Sequence, residues 1–279
     1  MTALAENVQA IRPIVDRTSG QDQGPIRRLV SPHHGGELIK PFVFLDLFES
    51  EHGDFKGFGL HPHSGIATLT YVAQGSVNYE DTNGARGSIG AGGVEWMRAG
   101  RGVWHGGGGG ELGLTRGFQL WLALSPQFEL GPSVSLYQSA DDVPVVGPVR
   151  VLLGSYGGAT SAIEAPSDIN YLAVRLGPGE RWRYEPPAGH GVLWIAVGKG
   201  KVRMPERIRS GALAVFAPGQ EPVEFVAEAE TEFVLGSAVP HPHDLVTGRY
   251  SVHTSEDALA QGERRIRELH SELVRTGRL

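Results

Sequence analysis

Leu60-His61-Pro62-His63 opens the stretch that decides how this chain folds, and Gly92-Gly93-Val94-Glu95-Trp96-Met97-Arg98-Ala99-Gly100-Arg101-Gly102-Val103-Trp104-His105 closes it. Between the two, Ala67-Thr68-Leu69-Thr70-Tyr71-Val72 alternates in the period of a half-buried strand. Gly75 breaks that strand, residues 76–80 read as the next, and Asp81-Thr82-Asn83-Gly84 supplies a hairpin turn. Gly90-Ala91-Gly92-Gly93 is a second turn before the strand Val94-Glu95-Trp96-Met97. Residues two apart on a strand face the same side, so His61 and His63 can reach one ion, while His105 must come from another strand. If the strands curl into a small barrel, the three imidazoles meet in its lumen. Three neutral imidazoles with open positions suit a divalent first-row metal, and the residues leave Fe, Mn, Ni, Zn and Cu open.

Outward from this stretch the chain keeps to strands and turns. Upstream, Ile11, Ile14 and Val15 form a short strand in a loose arm, and residues 26–30 form the next. Ser31-Pro32-His33-His34-Gly35-Gly36 reads as a surface loop, since adjacent histidines on an extended chain point apart. Pro41-Phe42-Val43-Phe44-Leu45-Asp46-Leu47-Phe48 reads as a buried strand. Downstream, the five glycines at 106–110 read as a mobile loop before a strand over 116–124. Residues 126–148 read as a connector, and strands resume at 149–153, 171–176 and 192–197.

An echo of the opening stretch appears later. Gly211-Ala212-Leu213-Ala214-Val215-Phe216-Ala217-Pro218-Gly219 repeats the glycine-bracketed strand of 92–100, and each follows an apolar strand that ends in glycine, at Gly75 and Gly200. The pattern suggests two copies of one small all-β unit. Carried across, His61, His63 and His105 fall on Pro186, Ala188 and Glu224, so the second copy lacks the histidines, and His190 stands alone there. Pro240-His241-Pro242-His243-Asp244 repeats the His-Pro-His string, but with no third histidine at strand spacing it reads as a stiff exposed turn. Residues 246–252 read as a last strand returning to the first unit. Thr254-Ser255-Glu256-Asp257 then starts an amphipathic helix with Ile266, Leu269 and Leu273 on one face.

Composition narrows the function classes. The chain has 279 residues, 40 of them glycine and 18 proline, which suits short strands and tight turns. It has no cysteine, so thiolate ligands, thiol nucleophiles and disulfides are excluded. A formal net charge of −6 without a basic block gives no sign of direct nucleic-acid binding. No apolar run approaches the roughly 18 residues of a membrane span, and the first residues show no signal pattern, so a cytoplasmic protein is expected.

The motifs resemble the pirin family of the cupin superfamily. The resemblance lies in His61-Pro62-His63, Tyr71-Val72, Gly75, Glu80-Asp81, Trp96-Met97, Ala99-Gly100-Arg101-Gly102 followed by His105, Gln119-Leu120-Trp121, and upstream Pro41-Phe42 with Leu45-Asp46. It implies an all-β fold of two antiparallel cupin, or jelly-roll, β-barrels with a C-terminal α-helix. The expected division is an N-terminal metal-site domain at 1–130, a connector at 131–148 and a C-terminal domain at 149–279. The resemblance further implies metal ligation by His61, His63 and His105, with iron as the expected ion, and a small-molecule ligand in the N-terminal barrel. Some pirins open the flavonol ring of quercetin with dioxygen, so a dioxygenase acting on a small aromatic or enol substrate is one expectation. Another is a non-enzymatic regulator that binds a protein partner, its metal structural, redox-sensing or absent. A third is a cupin that binds a small ligand without metal.

The chain departs from the family pattern around the histidines. The glutamate ligand expected two residues after the third histidine is replaced by Gly107, and the carboxylate many cupins place four residues after the second is replaced by Ala67. The usual charged neighbours of the first motif are replaced by Leu60 and Ser64. Glu95, Glu111 and Asp46 are the candidate substitutes for a proton-accepting carboxylate, and the sequence places none of them.

Overall fold

The strand Ile66–Gln74 is buried at every position but its last, because it lies in the middle of a seven-stranded sheet with a neighbour on each side. The computed structural model describes residues 12–51, 57–110 and 113–279. In the first half that large sheet runs in the order Val134–Gln138, Val94–Arg98, Ile66–Gln74, Thr115–Ala123, Phe42–Ser50, Ile26–Val30, Gln21–Gln23. A four-stranded sheet accompanies it, in the order Phe58–His63, Val103–Gly109, Ser76–Asp81, Arg86–Gly90. The second half repeats the plan. Its large sheet is Ile14–Thr18, Leu213–Phe216, Val192–Lys199, Thr231–Ala238, Ile169–Leu176, Val149–Leu153, Val145–Val146, and its small one is Arg181–Tyr184, Val223–Ala227, Lys201–Arg203, Arg207–Arg209. The ladders are antiparallel throughout these four sheets. This is the expected pair of jelly-roll units, and the two glycine-bracketed strands, 94–98 and 213–216, hold equivalent places in them.

Two strands exchange sides. Ile14–Thr18 pairs with Leu213–Phe216 at the edge of the second large sheet. Val134–Gln138, inside the stretch read as a connector, pairs with Val94–Arg98 at the edge of the first. Both are short and half-exposed, so they carry little of the apolar alternation that marks a strand.

The large sheets share a core. Phe42 meets Trp194 edge-on with ring centroids 5.2 Å apart, and Leu69, Phe118, Tyr171 and Val234 are buried in the same cluster. In the second half the space between its sheets is filled by Trp182, Tyr184, Phe225 and Phe233. The position matched to the third histidine, Glu224, is exposed and paired with Arg181.

The five glycines at 106–110 are a correction. Residues 106–109 extend the strand Val103–Gly109 and do not form a loop. The reason is steric: a Cβ on Gly106 would press on the Phe58 carbonyl and the Leu60 amide, one on Gly107 on the Asn78 carbonyl, and one on Gly110 on Ser76. The neighbouring strands approach too closely for side chains there. His241 is a second correction. It is 8% exposed, with its amide directed at the Lys40 carbonyl, although Pro240, Pro242 and Asp244 around it are exposed as expected. The expected last strand is a hairpin of Val246–Thr247 and Val252–His253, which touches the first half through a Ser64–Ser251 bridge.

The helix Glu256–Arg275 begins as expected, with the Ser255 hydroxyl accepting from the Ala258 amide and two acids in the first turn. Leu269 and Leu273 pack on Trp104, whose indole donates to the Ile266 carbonyl at 3.0 Å. No described helix is long and apolar enough to cross a membrane.

Candidate metal centre

His61 and His63 come from the strand Phe58–His63, and His105 from its neighbour Val103–Gly109. The register sets His105 directly opposite His61 and Val103 opposite His63. Strand parity then turns all three imidazoles to one face. Their ring centroids form a near-equilateral triangle of 4.5, 4.9 and 5.1 Å. One ring nitrogen from each falls within 4.8 Å of the others.

The second nitrogen of every ring has a partner. His61 Nδ1 donates to the Gly59 carbonyl at 2.8 Å, and His63 Nδ1 to the Tyr250 carbonyl at 2.9 Å. His105 Nδ1 lies 3.1 Å from Glu95 Oε1. Carbonyl and carboxylate oxygens only accept, so each Nδ1 carries the proton and each Nε2 keeps a lone pair. His105 Nε2 is buried and has no hydrogen-bond partner. Burial, then the neighbouring His105, lowers the His61 pKa to about 4. Burial, then His61 and His105, hold His63 well below the usual histidine value. His61 and His63 are therefore neutral, the form a metal ligand must take. This donor set, with converging Nε2 atoms and ring orientation fixed from behind, fits a first-row divalent ion.

The trio opens on a cavity of about 550 Å³. Phe44 and Trp121 stack at 4.1 Å along one wall, and His63 meets the Trp121 ring at 4.7 Å. Tyr250 and Arg249 border it from the 246–253 hairpin. His33 also borders it, held to Thr247 at 3.1 Å, but stays exposed on its loop.

The three candidate carboxylates meet different fates. Glu95 lines the cavity wall behind His105, and its Oε2 accepts from the Thr70 hydroxyl at 2.9 Å. That hydroxyl also lies 2.8 Å from Gln119. With one proton to give, it is satisfied on both sides when the Gln119 amide is turned to donate. Asp46 has both oxygens on the Arg28 guanidinium, at 3.0 and 2.9 Å. Burial raises its pKa, and Arg28 pulls in the other direction. Glu111 lies outside the described residues. Ala67 is in the core between the sheets, Leu60 packs against the C-terminal helix, and Ser64 joins a buried chain behind His63. In that chain the Ser64 hydroxyl lies 3.0 Å from His253 Nε2, and His253 Nδ1 lies 3.1 Å from Glu129.

Several contributors gave no sequence signal. The Gly59 and Tyr250 carbonyls act through the main chain, which every residue type supplies. Glu129 and Arg249 reach the site only through the fold. His190 is buried with Nδ1 2.8 Å from the Ser237 hydroxyl, a packed histidine in the second half.

Residues 24–122 match the family model described as Pirin. A pirin-like protein of Caulobacter vibrioides is 29% identical over 261 residues, spanning 83% of this chain and 90% of the relative. A crystal structure of quercetin 2,3-dioxygenase from Acinetobacter baumannii superposes with a TM-score of 0.83 at 25% identity, covering 91% of this chain and 96% of that one. The bacterial pirin YhhW of Escherichia coli, solved in complex with nickel(II), shares the fold with a TM-score of 0.64 at 20% identity, covering 82% and 98%.

Proposed function

Since this chain belongs to the pirin family of cupins, we propose that it is a metal-dependent dioxygenase of the quercetin 2,3-dioxygenase type, acting on a small aromatic or enol-bearing molecule. The observation that carries the reading is the set of three imidazoles whose Nδ1 atoms are all engaged, beside an aromatic-lined cavity. The name of the Acinetobacter baumannii structure supports the reaction type.

His61, His63 and His105 would hold the ion through Nε2. A bound iron, or another first-row ion, supplies Lewis acidity toward ligand oxygens and access to dioxygen chemistry. The chain's own residues do the rest. Gly59, Tyr250 and Glu95 fix the ligand rings from behind. The stacked Phe44–Trp121 pair offers a flat apolar face to an aromatic ligand. Asp46 is spent on Arg28 and is no free base. With three neutral ligands and no ligating carboxylate at Gly107, the site carries one more positive charge than a set with a ligating carboxylate. It therefore selects ligands that bind in ionised form.

Purified protein should hold about one metal per chain, the occupancy of one trio, consume oxygen with quercetin, and lose both properties on His105→Ala. Absence of metal under every loading condition overturns the reading. A second reading, a regulator that binds a protein partner, is favoured by the missing carboxylate at Gly107. A specific partner recovered by pull-down, with no oxygen uptake on flavonols, decides for it.

A further inference from the structure

Charge bookkeeping around the cavity leaves one residue over. Arg28 is cancelled by Asp46 in a two-point ion pair. Glu95 is turned to His105 and Thr70. Arg249 borders the cavity, exposed, and among the described residues it makes no ion pair. Its guanidinium lies over the Tyr250 ring, 5.1 Å from the centroid. The same ring stands 6.4 Å from both His61 and His63. Tyr250 thus spans the distance between the metal trio and a cation, and its own carbonyl holds His63.

We propose that this cavity takes an aromatic or enol-bearing ligand that also carries a carboxylate remote from its metal-chelating oxygens, and that Arg249 selects it. The inference deepens the metal-site reading and rests on it. A guanidinium presents a planar fork that matches the two oxygens of a carboxylate. Stacking on Tyr250 holds that plane at the rim and leaves the N–H edge free for the ligand. A ligand whose vicinal oxygens face the histidines and whose ring lies along Phe44–Trp121 places its far substituent toward the rim. A neutral polyphenol fills the same apolar wall and leaves Arg249 without a partner.

The test uses 3,4-dihydroxybenzoate and its methyl ester as probes, which share the vicinal hydroxyls and differ chiefly in whether the remote group is charged. Dissociation constants are read by tryptophan quenching on nickel-loaded protein under nitrogen. Wild type should bind the acid about tenfold more tightly than the ester, the scale of one exposed charge-assisted contact. Arg249→Gln should erase that preference while leaving the ester affinity unchanged, which also reports that the variant is folded. Equal binding of both probes by wild type, binding of neither, or a preference that survives Arg249→Gln overturns the proposal. His105→Ala separates the two levels. Loss of both probes there supports the proposal as stated, with metal and Arg249 acting together. An acid preference that persists in His105→Ala overturns the metal-anchored form, while the metal-site reading is judged separately, by whether the wild type takes up nickel.

Discussion

Glu95 Oε1 lies 3.1 Å from Nδ1 of His105, with both side chains buried. The only carboxylate hydrogen-bonded to a histidine of the trio, among the described residues, thus lies behind the ring, on the nitrogen turned away from the other two histidines. It gives His105 a charged acceptor where His61 and His63 have neutral carbonyls. A carboxylate in that place raises the basicity of the ligating nitrogen and fixes the tautomer.

Glu95→Gln keeps an acceptor for Nδ1 but removes the charge. Metal affinity should fall by about 10–100-fold with the cavity intact. Competition with a chelator of known affinity measures the loss, and the visible spectrum of the cobalt-loaded protein should shift. Unchanged affinity and spectrum would reduce Glu95 to a packing role.

Gly107→Glu, the substitution that family comparison suggests for restoring a ligand, should fail. A Cβ there would fall on the Asn78 carbonyl oxygen. The strands must part to admit it, at a cost of about 1–3 kcal/mol. A thermal melt should show lower stability, and a metal titration should show no gain. Tighter metal binding at undiminished stability would contradict the steric argument.

Gly262→Ala should destabilise the protein, although the same change in an exposed helix interior helps by about 1 kcal/mol. Gly262 faces Ser64 and His253 so closely that a Cβ would strike the Ser64 hydroxyl. Ser64 follows His63 of the candidate trio, so the strain should also weaken metal binding. Melting temperature and metal affinity should fall together, whereas a rise in melting temperature would contradict this packing.

His241 predicts a pH dependence away from the metal trio. Burial first, then His243 and Lys40, lower its pKa from 6.5 to about 4, against the opposing pull of Glu129 and Glu37. The unfolded chain therefore binds a proton that the folded one refuses. Stability from this group is fully present above pH 6.5 and is lost as pH falls toward about 4. Chemical denaturation across that window should show a shallower decline for His241→Gln than for wild type. Parallel declines would place the loss in other groups.

The legible part of the molecule was the part that local pattern controls. His61 and His63 were placed on one face by strand parity alone, and the structure keeps them there with His105 opposite. The helix start at Ser255 was readable because a cap and two acids are local signals. The glycine run is not legible as strand because composition speaks of backbone freedom, while the position of Asn78 and Phe58 decides that a side chain cannot enter. Glu95 was visible as a candidate, but its target depended on a register between strands. Tyr250 was invisible because it contributes a carbonyl.

That carbonyl comes 187 residues after the histidine it holds. The chain is made from its N-terminus, so the strand bearing His61 and His63 leaves the ribosome long before its anchor exists. At about 5–20 residues per second the wait is roughly ten to forty seconds. Until residue 250 emerges, His63 has no acceptor to fix its tautomer or aim its ring. The fully oriented trio thus cannot form before residue 250 has been made, and any metal held by that oriented trio would enter after that point.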